Sequence, residues 1–116
     1  MVDQSVLENH HVAASFALMI AEPSINIFAK YSREEFSRAR ERLISLVLAT
    51  DMAMHFSDVA KIKGRLSTSE IDPKGKDKIL CMESLVHAAD ISNPIKPFDI
   101  YFNWTERILE EFWAQV

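Results

Sequence analysis

The sequence predicts an all-α fold of about five helices, and three observations carry that prediction. Two glycines and four prolines are spread over 116 residues, too few for a succession of short strands and tight turns. Apolar residues recur at intervals of three and four along most of the chain, the period of a helix face. Helix start signals, a serine followed three residues later by glutamate, stand at Ser5–Glu8 and Ser32–Glu35. In such a box each side chain satisfies a backbone amide that the helix leaves free.

The first helix runs from about Val6 to Ala21 and ends near Pro23, with Leu7, His11, Ala14, Leu18 and Ala21 at helical intervals. The second opens at Ser32; Phe36, Ala39, Leu43, Leu46 and Val47 form its apolar stripe, and Arg33, Glu34, Arg38, Glu41 and Arg42 face solvent. Thr50 or Asp51 caps a third helix through Met52, Phe56, Val59 and Leu66. Both residues are modest helix formers, so the second and third stretches either join or kink there. Ser67 to Lys76 is the clearest loop, with Asp72-Pro73 and Gly75. A fourth helix, capped by Asp77, carries Ile79, Met82, Val86 and Ala89 on one face and stops before Pro94. Pro97 suits the start of a fifth, whose stripe is Tyr101, Trp104, Ile108 and Phe112, broadened by Leu109 and Trp113. A helix this aromatic needs something to pack against.

Composition sets bounds on function. Hydrophobic residues are 48% and charged residues 26% of a chain with room for one modest core. A net charge of −4 gives no basic footprint for nucleic acid. Cys81 is the single cysteine, so no intrachain disulfide forms. No signal peptide or membrane segment stands out: the apolar run Val12 to Ala21 is broken by Ser15 and follows histidines rather than basic residues. The default location is cytoplasmic.

The residues able to carry chemistry are few. Glu8, His10 and His11 lie within one turn; His87 and Asp90 are three apart and share a helix face. Thr50 and Asp51 sit at the helix junction, with His55 a turn later. A hydrolytic metal centre needs several ligands converging on one point, and no self-sufficient motif such as H-E-x-x-H is present. Structural roles compete at every position. Glu8 completes a capping box; Thr50 is an N-cap; of the adjacent His10 and His11, one packs and one is solvated. Asp90 near a helix C-terminus opposes the macrodipole, which favours an electrostatic partner. Spacing alone reaches a soluble helical domain.

Three stretches reach further: Ser5-Val-Leu-Glu-Asn-His-His11; Leu48-Ala-Thr-Asp-Met52 followed by His55; and Leu85-Val-His-Ala-Ala-Asp-Ile-Ser-Asn-Pro94, with Lys96-Pro97, Trp104-Thr-Glu-Arg-Ile108 and Glu110-Glu-Phe112. In this order and spacing they resemble the catalytic domain of class I 3′,5′-cyclic nucleotide phosphodiesterases, over nearly the whole chain. The resemblance implies a helical, HD-type domain that hydrolyses cyclic AMP or cyclic GMP to the 5′-monophosphate. It implies two divalent metals, zinc with magnesium or manganese, bridged by a hydroxide that attacks phosphorus, and a histidine that protonates the departing O3′.

By position, Asp90 matches a metal-binding aspartate, and Glu8 and Thr50 match residues that hold the second metal's waters. Asn93, Ile108, Met52 and Tyr101 match substrate-pocket positions; His10, His11 and His87 match supporting ones. The family's H-N-x-x-H and H-D-x-x-H segments, which supply the general-acid histidine and most metal ligands, do not occur here. The glutamine and phenylalanine that hold the purine match nothing in the sequence either. Residues 1–116 are therefore expected to be a middle section of such a domain, partnered by the rest of it, marginally stable and inactive alone. The competing readings are a helical interaction module that kept the scaffold and lost the chemistry, and an unrelated helical bundle. Nucleotide preference is not legible.

Overall fold

The computed structural model describes residues 4–115, so Met1 and Val116 lie outside the described residues. Among them are five α-helices: α1 (Val6–Ala21), α2 (Arg33–Leu48), α3 (His55–Thr68), α4 (Lys78–Asp90) and α5 (Phe98–Ala114). Short 3-10 turns at Pro23–Ile25, Met52–Met54 and Asn93–Ile95 separate them, and no strand occurs among the described residues. The all-α expectation holds.

Local chemistry sets most boundaries. Ser32 and Glu35 form the expected capping box: the Glu35 amide donates to Ser32 Oγ at 3.3 Å and the Ser32 amide to Glu35 Oε2 at 2.9 Å. α4 ends at Asp90, four residues before Pro94, and α5 begins directly after Pro97. Between α2 and α3 the chain kinks by 70°. Asp51 adopts an extended conformation and its Oδ1 accepts the Ala53 amide at 2.8 Å, so the carboxylate starts a 3-10 turn where a continuous helix would run. Asp51, not Thr50, is the cap; the Thr50 hydroxyl donates back to the Val47 carbonyl at 2.7 Å.

Two expected caps do not form. Ser5 has φ 49°, in the left-handed region, and its hydroxyl donates to Asp51 Oδ2 at 2.7 Å, so no Ser5–Glu8 box exists. Asp77 precedes α4 without capping it, because Arg65 takes both its carboxylate oxygens. α3 also runs to Thr68, two residues into the segment expected to be loop.

α1 and α2 pack antiparallel. Late in α1, Phe16 meets Phe36 of early α2 edge-on, with ring centroids 6.1 Å apart, while Ser5 at the other end reaches Asp51 beyond the end of α2. Phe28 joins the aromatic end, its ring 5.5 Å from Phe36 and 5.3 Å from Tyr31, and at 9% exposure it is the buried hydrophobic residue of the described chain. α4 lies against α2, where the Ser45 hydroxyl donates to Glu83. Residues 43 to 50 are all half-buried because α1 and α4 flank this half of α2.

α3 and α4 form an antiparallel hairpin held at both ends: Arg65 to Asp77 at the loop, and His55 to His87 at the far end. The expected α3 stripe is corrected in part: Val59 faces inward as expected and is joined by Ile62, but Met52, Phe56 and Leu66 are exposed, Phe56 at 86%. The inward side of α4 is likewise shifted to Leu80, Ser84 and His87, leaving Val86 and Ala89 exposed.

Much of this chain's apolar surface is uncovered. It exposes 9405 Å², against about 6,500 Å² for a compact monomer of its 13.3 kDa mass. Its radius of gyration is 17.0 Å, where a compact chain of this length has about 13 Å. The aromatic side of α5 is open, with Trp113 75% exposed, and Val6, Leu7, Leu18 and Ile20 of α1 face solvent. A helix apolar all round belongs to the interior of a larger structure. Among the described residues no single helix is long and apolar enough to cross a membrane.

Candidate functional site

The helix order itself gathers the candidate residues. α1 and α3 start, and α2 and α4 finish, at the same end of the molecule. Two side-chain contacts tie that end together. Ser5 Oγ donates to Asp51 Oδ2 at 2.7 Å, which sets the first turn of α1, with Glu8, beside the Thr50–Asp51 junction. His55 Nδ1 lies 2.8 Å from His87 Nε2, with the two ring planes 29° apart, which sets the last turn of α4, with Asp90, beside the same junction. Glu8 of α1, Thr50 of the α2–α3 junction and Asp90 of α4 are thus carried to one end. Glu8 and Thr50 are half-buried and Asp90 is exposed.

The electrostatics follow from those contacts. The Ser5 hydroxyl, and after it the Ala53 amide, hold the Asp51 carboxyl below the usual carboxylate range. Among the described residues, no group of three or more histidine, cysteine, aspartate or glutamate side chains is arranged to hold a metal ion. The donor set does not fit a metal pair. Asp90 is a lone exposed carboxylate at a helix terminus, whereas a catalytic zinc needs about three protein ligands.

A second group forms after α4. Asn93 Nδ2 donates to the Tyr101 carbonyl at 3.3 Å and lies 3.4 Å from Thr105 Oγ1, which itself donates to the Tyr101 carbonyl at 2.9 Å. Asn93 Oδ1 is buried without a hydrogen-bond partner. Ile108 follows Thr105 by one turn and is exposed; Trp104 is covered by the Lys96 ammonium at 5.9 Å and the Arg107 guanidinium at 5.1 Å. Asn93 and Tyr101 are therefore brought together. Met52 sits exposed on a different element, the 3-10 turn before α3.

Other sequence expectations are corrected. His10 and His11 are both exposed, so neither packs, their rings 6.2 Å apart. His55, which carried no role in the sequence reading, is the residue His87 pairs with. The signal available for it was its place one turn after the junction in the Leu48–His55 stretch.

A cavity of about 230 Å³ opens between α3, α4 and the end of α2, lined by His55, Val59, Ile62, Leu80, Ser84 and His87 among others. It is smaller than the roughly 300–1,000 Å³ of typical ligand sites, and Glu8, Thr50 and Asp90 do not line it. It is the gap of the α3–α4 hairpin.

The sequence and the helix order find their counterpart in known proteins. The family of 3'5'-cyclic nucleotide phosphodiesterases matches residues 1–116. The chain belongs to that family. Among cyclic nucleotide phosphodiesterases it is 47% identical over 114 residues to the probable 3',5'-cyclic phosphodiesterase pde-1 of Caenorhabditis elegans. It is 42% identical over 120 residues to 3',5'-cyclic-AMP phosphodiesterase 4C of Rattus norvegicus. Each match takes in 97% of this chain but only 16% and 22% of those proteins. The crystal structure of the phosphodiesterase domain of Salpingoeca rosetta rhodopsin phosphodiesterase superposes with a TM-score of 0.79 at 36% identity, covering 97% of this chain and 35% of that domain. The phosphodiesterase helices are thus the ones found here, and the chain corresponds to about a third of a solved domain.

Proposed function

We propose that this chain is a middle section of a phosphodiesterase catalytic domain that, when complete, hydrolyses a 3′,5′-cyclic nucleotide to its 5′-monophosphate and so ends a cyclic nucleotide signal. The observation that carries the proposal is the convergence of Glu8, Thr50 and Asp90 at one end of a chain belonging to this family. In the complete domain Asp90 would be one ligand of a divalent metal, zinc, magnesium or manganese, with its other ligands supplied by the rest of the domain, and Glu8 and Thr50 would orient groups around a second. Asn93, Tyr101, Ile108 and Met52 form part of the wall facing the base. His10 and His11, exposed here, and His87 support the site from behind. Both cyclic AMP and cyclic GMP remain candidate substrates, and the site works in the cytoplasm.

The partner of this chain is the remaining part of the domain. Roughly 3,000 Å² of surface beyond that of a compact monomer, the difference between 9405 Å² and about 6,500 Å², is the area such packing would cover. Without that packing the chain is marginally stable. Because its donor set does not hold a metal pair, no chemical step is assigned to the chain alone.

Two assays test this. The chain alone, supplied with zinc and magnesium, turns over neither cyclic AMP nor cyclic GMP; turnover that disappears in Asp90→Ala would overturn the reading. Grafted in place of the matching third of the Salpingoeca rosetta domain, it supports turnover, and Asp90→Ala in the graft abolishes it. A graft whose turnover survives Asp90→Ala removes Asp90 from the site.

A further inference from the structure

We propose that His55 is a positioning residue: its Nδ1 accepts a hydrogen bond from His87 Nε2–H, and this bond fixes the last turn of α4, and with it Asp90, against the α2–α3 junction. The inference rests on the proposed role of Asp90.

The proton assignment follows from burial. His87 Nδ1 is buried and has no hydrogen-bond partner, while His87 Nε2 faces His55 Nδ1 at 2.8 Å. A neutral imidazole carries one N–H and one bare nitrogen. If the His87 proton sat on Nδ1, that N–H would be an orphaned buried donor, one of the costlier defects in a folded protein. With the proton on Nε2 it is used, Nδ1 carries only an unshared acceptor lone pair, and His55 must present a bare Nδ1 and carry its own proton on Nε2. Both tautomers are thereby set.

The geometry makes the pair a determinant of where α4 ends. α3 and α4 are separated by the hairpin cavity, so the contacts spanning it at either end fix their separation. At the loop that contact is Arg65 to Asp77; at the site end it is His55 to His87. Asp90 stands one turn beyond His87.

The arrangement also tolerates protonation poorly. A proton on His55 Nδ1 sets two donors face to face, unless His87 shifts its proton to Nδ1 and creates the orphaned donor. A second proton places two cations in contact. The charged groups that line the same cavity are Asp58 and Lys61 of α3 and Glu83 of α4; Asp51 lies in the junction before α3 and Asp90 ends α4. Lys61 is taken by Asp58 at 2.6 Å, Glu83 accepts from Ser45, and Asp51 accepts from Ser5 and Ala53. None of these carboxylates bonds to either imidazole.

The test is nuclear magnetic resonance of the histidine ring nitrogens and of backbone amide exchange in the whole chain, which reads no turnover and so fails or succeeds separately from the catalytic reading. Near neutral pH His87 should show a protonated Nε2 and a bare Nδ1, and His55 a bare Nδ1. Acidification should release the amides of residues 87 to 90 before those of α2, because a proton on His55 Nδ1 removes the acceptor of the bond. His55→Ala should speed their exchange about fivefold at neutral pH, the equivalent of one ordinary hydrogen bond. His55→Asn, whose Oδ1 stands where Nδ1 stood, should restore protection and remove its pH dependence. A mixture of tautomers on His87, unchanged exchange in His55→Ala, or an equal pH response in His55→Asn would each overturn the proposal. If His55→Ala does not fold, the wild-type tautomers and His55→Asn decide it.

Discussion

Arg65 takes hold of both oxygens of Asp77, Nε to Oδ1 at 2.7 Å and Nη2 to Oδ2 at 2.8 Å, and so closes the α3–α4 hairpin from the loop side. The same Asp77 oxygen also accepts the Asp72 amide at 2.8 Å. This is a bidentate pair of the kind lysine cannot reproduce, on a carboxylate only 6% exposed.

Its acid response has a definite sign. The Arg65 hydrogen bonds first, then the Asp72 amide, hold the Asp77 carboxyl below its ordinary range. The stabilisation is therefore fully present above the unfolded value, about 3.9, and is lost as pH falls through the lower folded value. The difference in melting temperature between the wild type and Asp77→Asn, followed by circular dichroism, should be constant near neutrality and shrink below about pH 4. Arg65→Lys should lower the melting temperature at neutral pH despite keeping the charge. An undiminished difference at low pH counts against the pair.

Two serines at helix starts should respond differently. Ser32→Ala removes a true cap and should cost about 1 kcal/mol, Ser32→Gly only a few tenths. Ser5→Ala loses the Asp51 bond and keeps an alanine at φ 49°, whereas Ser5→Gly loses the same bond but relieves the backbone. Ser5→Ala should therefore be the less stable of that pair in urea unfolding, and equal midpoints would remove strain from the account.

The two glycines should also part. A Cβ on Gly64, inside α3, meets nothing within 4 Å, so Gly64→Ala should stabilise by about 1 kcal/mol. A Cβ on Gly75 would come 2.1 Å from Asp72 Oδ2, and Asp72 is held there by the Lys74 and Gly75 amides at 3.2 and 2.9 Å. Gly75→Ala should destabilise by about 1 kcal/mol, one hydrogen bond's worth. Thermal melts of the two variants check both signs.

Phe28→Ala empties the centre of the Phe16–Tyr31–Phe36 cluster. It should cost about 3 kcal/mol, read as a fall in the urea midpoint. A change below about 1 kcal/mol would mean that the α1–α2 contact is held elsewhere.

What the sequence disclosed was local. Ser32–Glu35, Pro94 and Pro97 marked their helix boundaries because capping and proline sterics act within a few residues. What it concealed was long-range. Ser5 resembles a cap but spends its hydroxyl on Asp51, and Asp77 resembles a cap but belongs to Arg65; neither partner has a fixed sequence offset. Phe56 and Val86 have the period of a core face yet point outward, because periodicity reports that a face is apolar and not which neighbour covers it. His55 gained its role only when α4 returned alongside α3.

The 70° bend at residues 49 to 51 determines whether any of this exists. Run straight, the stretch from Arg33 to Thr68 would be a rod of about 54 Å, longer than the 45 Å greatest dimension of the molecule. Each residue of helix turns the chain by about 100°. Deleting or inserting a single residue here would swing α3 and α4 together to a new azimuth and part Ser45 of α2 from Glu83 of α4. This short corner is therefore bound by its length more strictly than by its side chains.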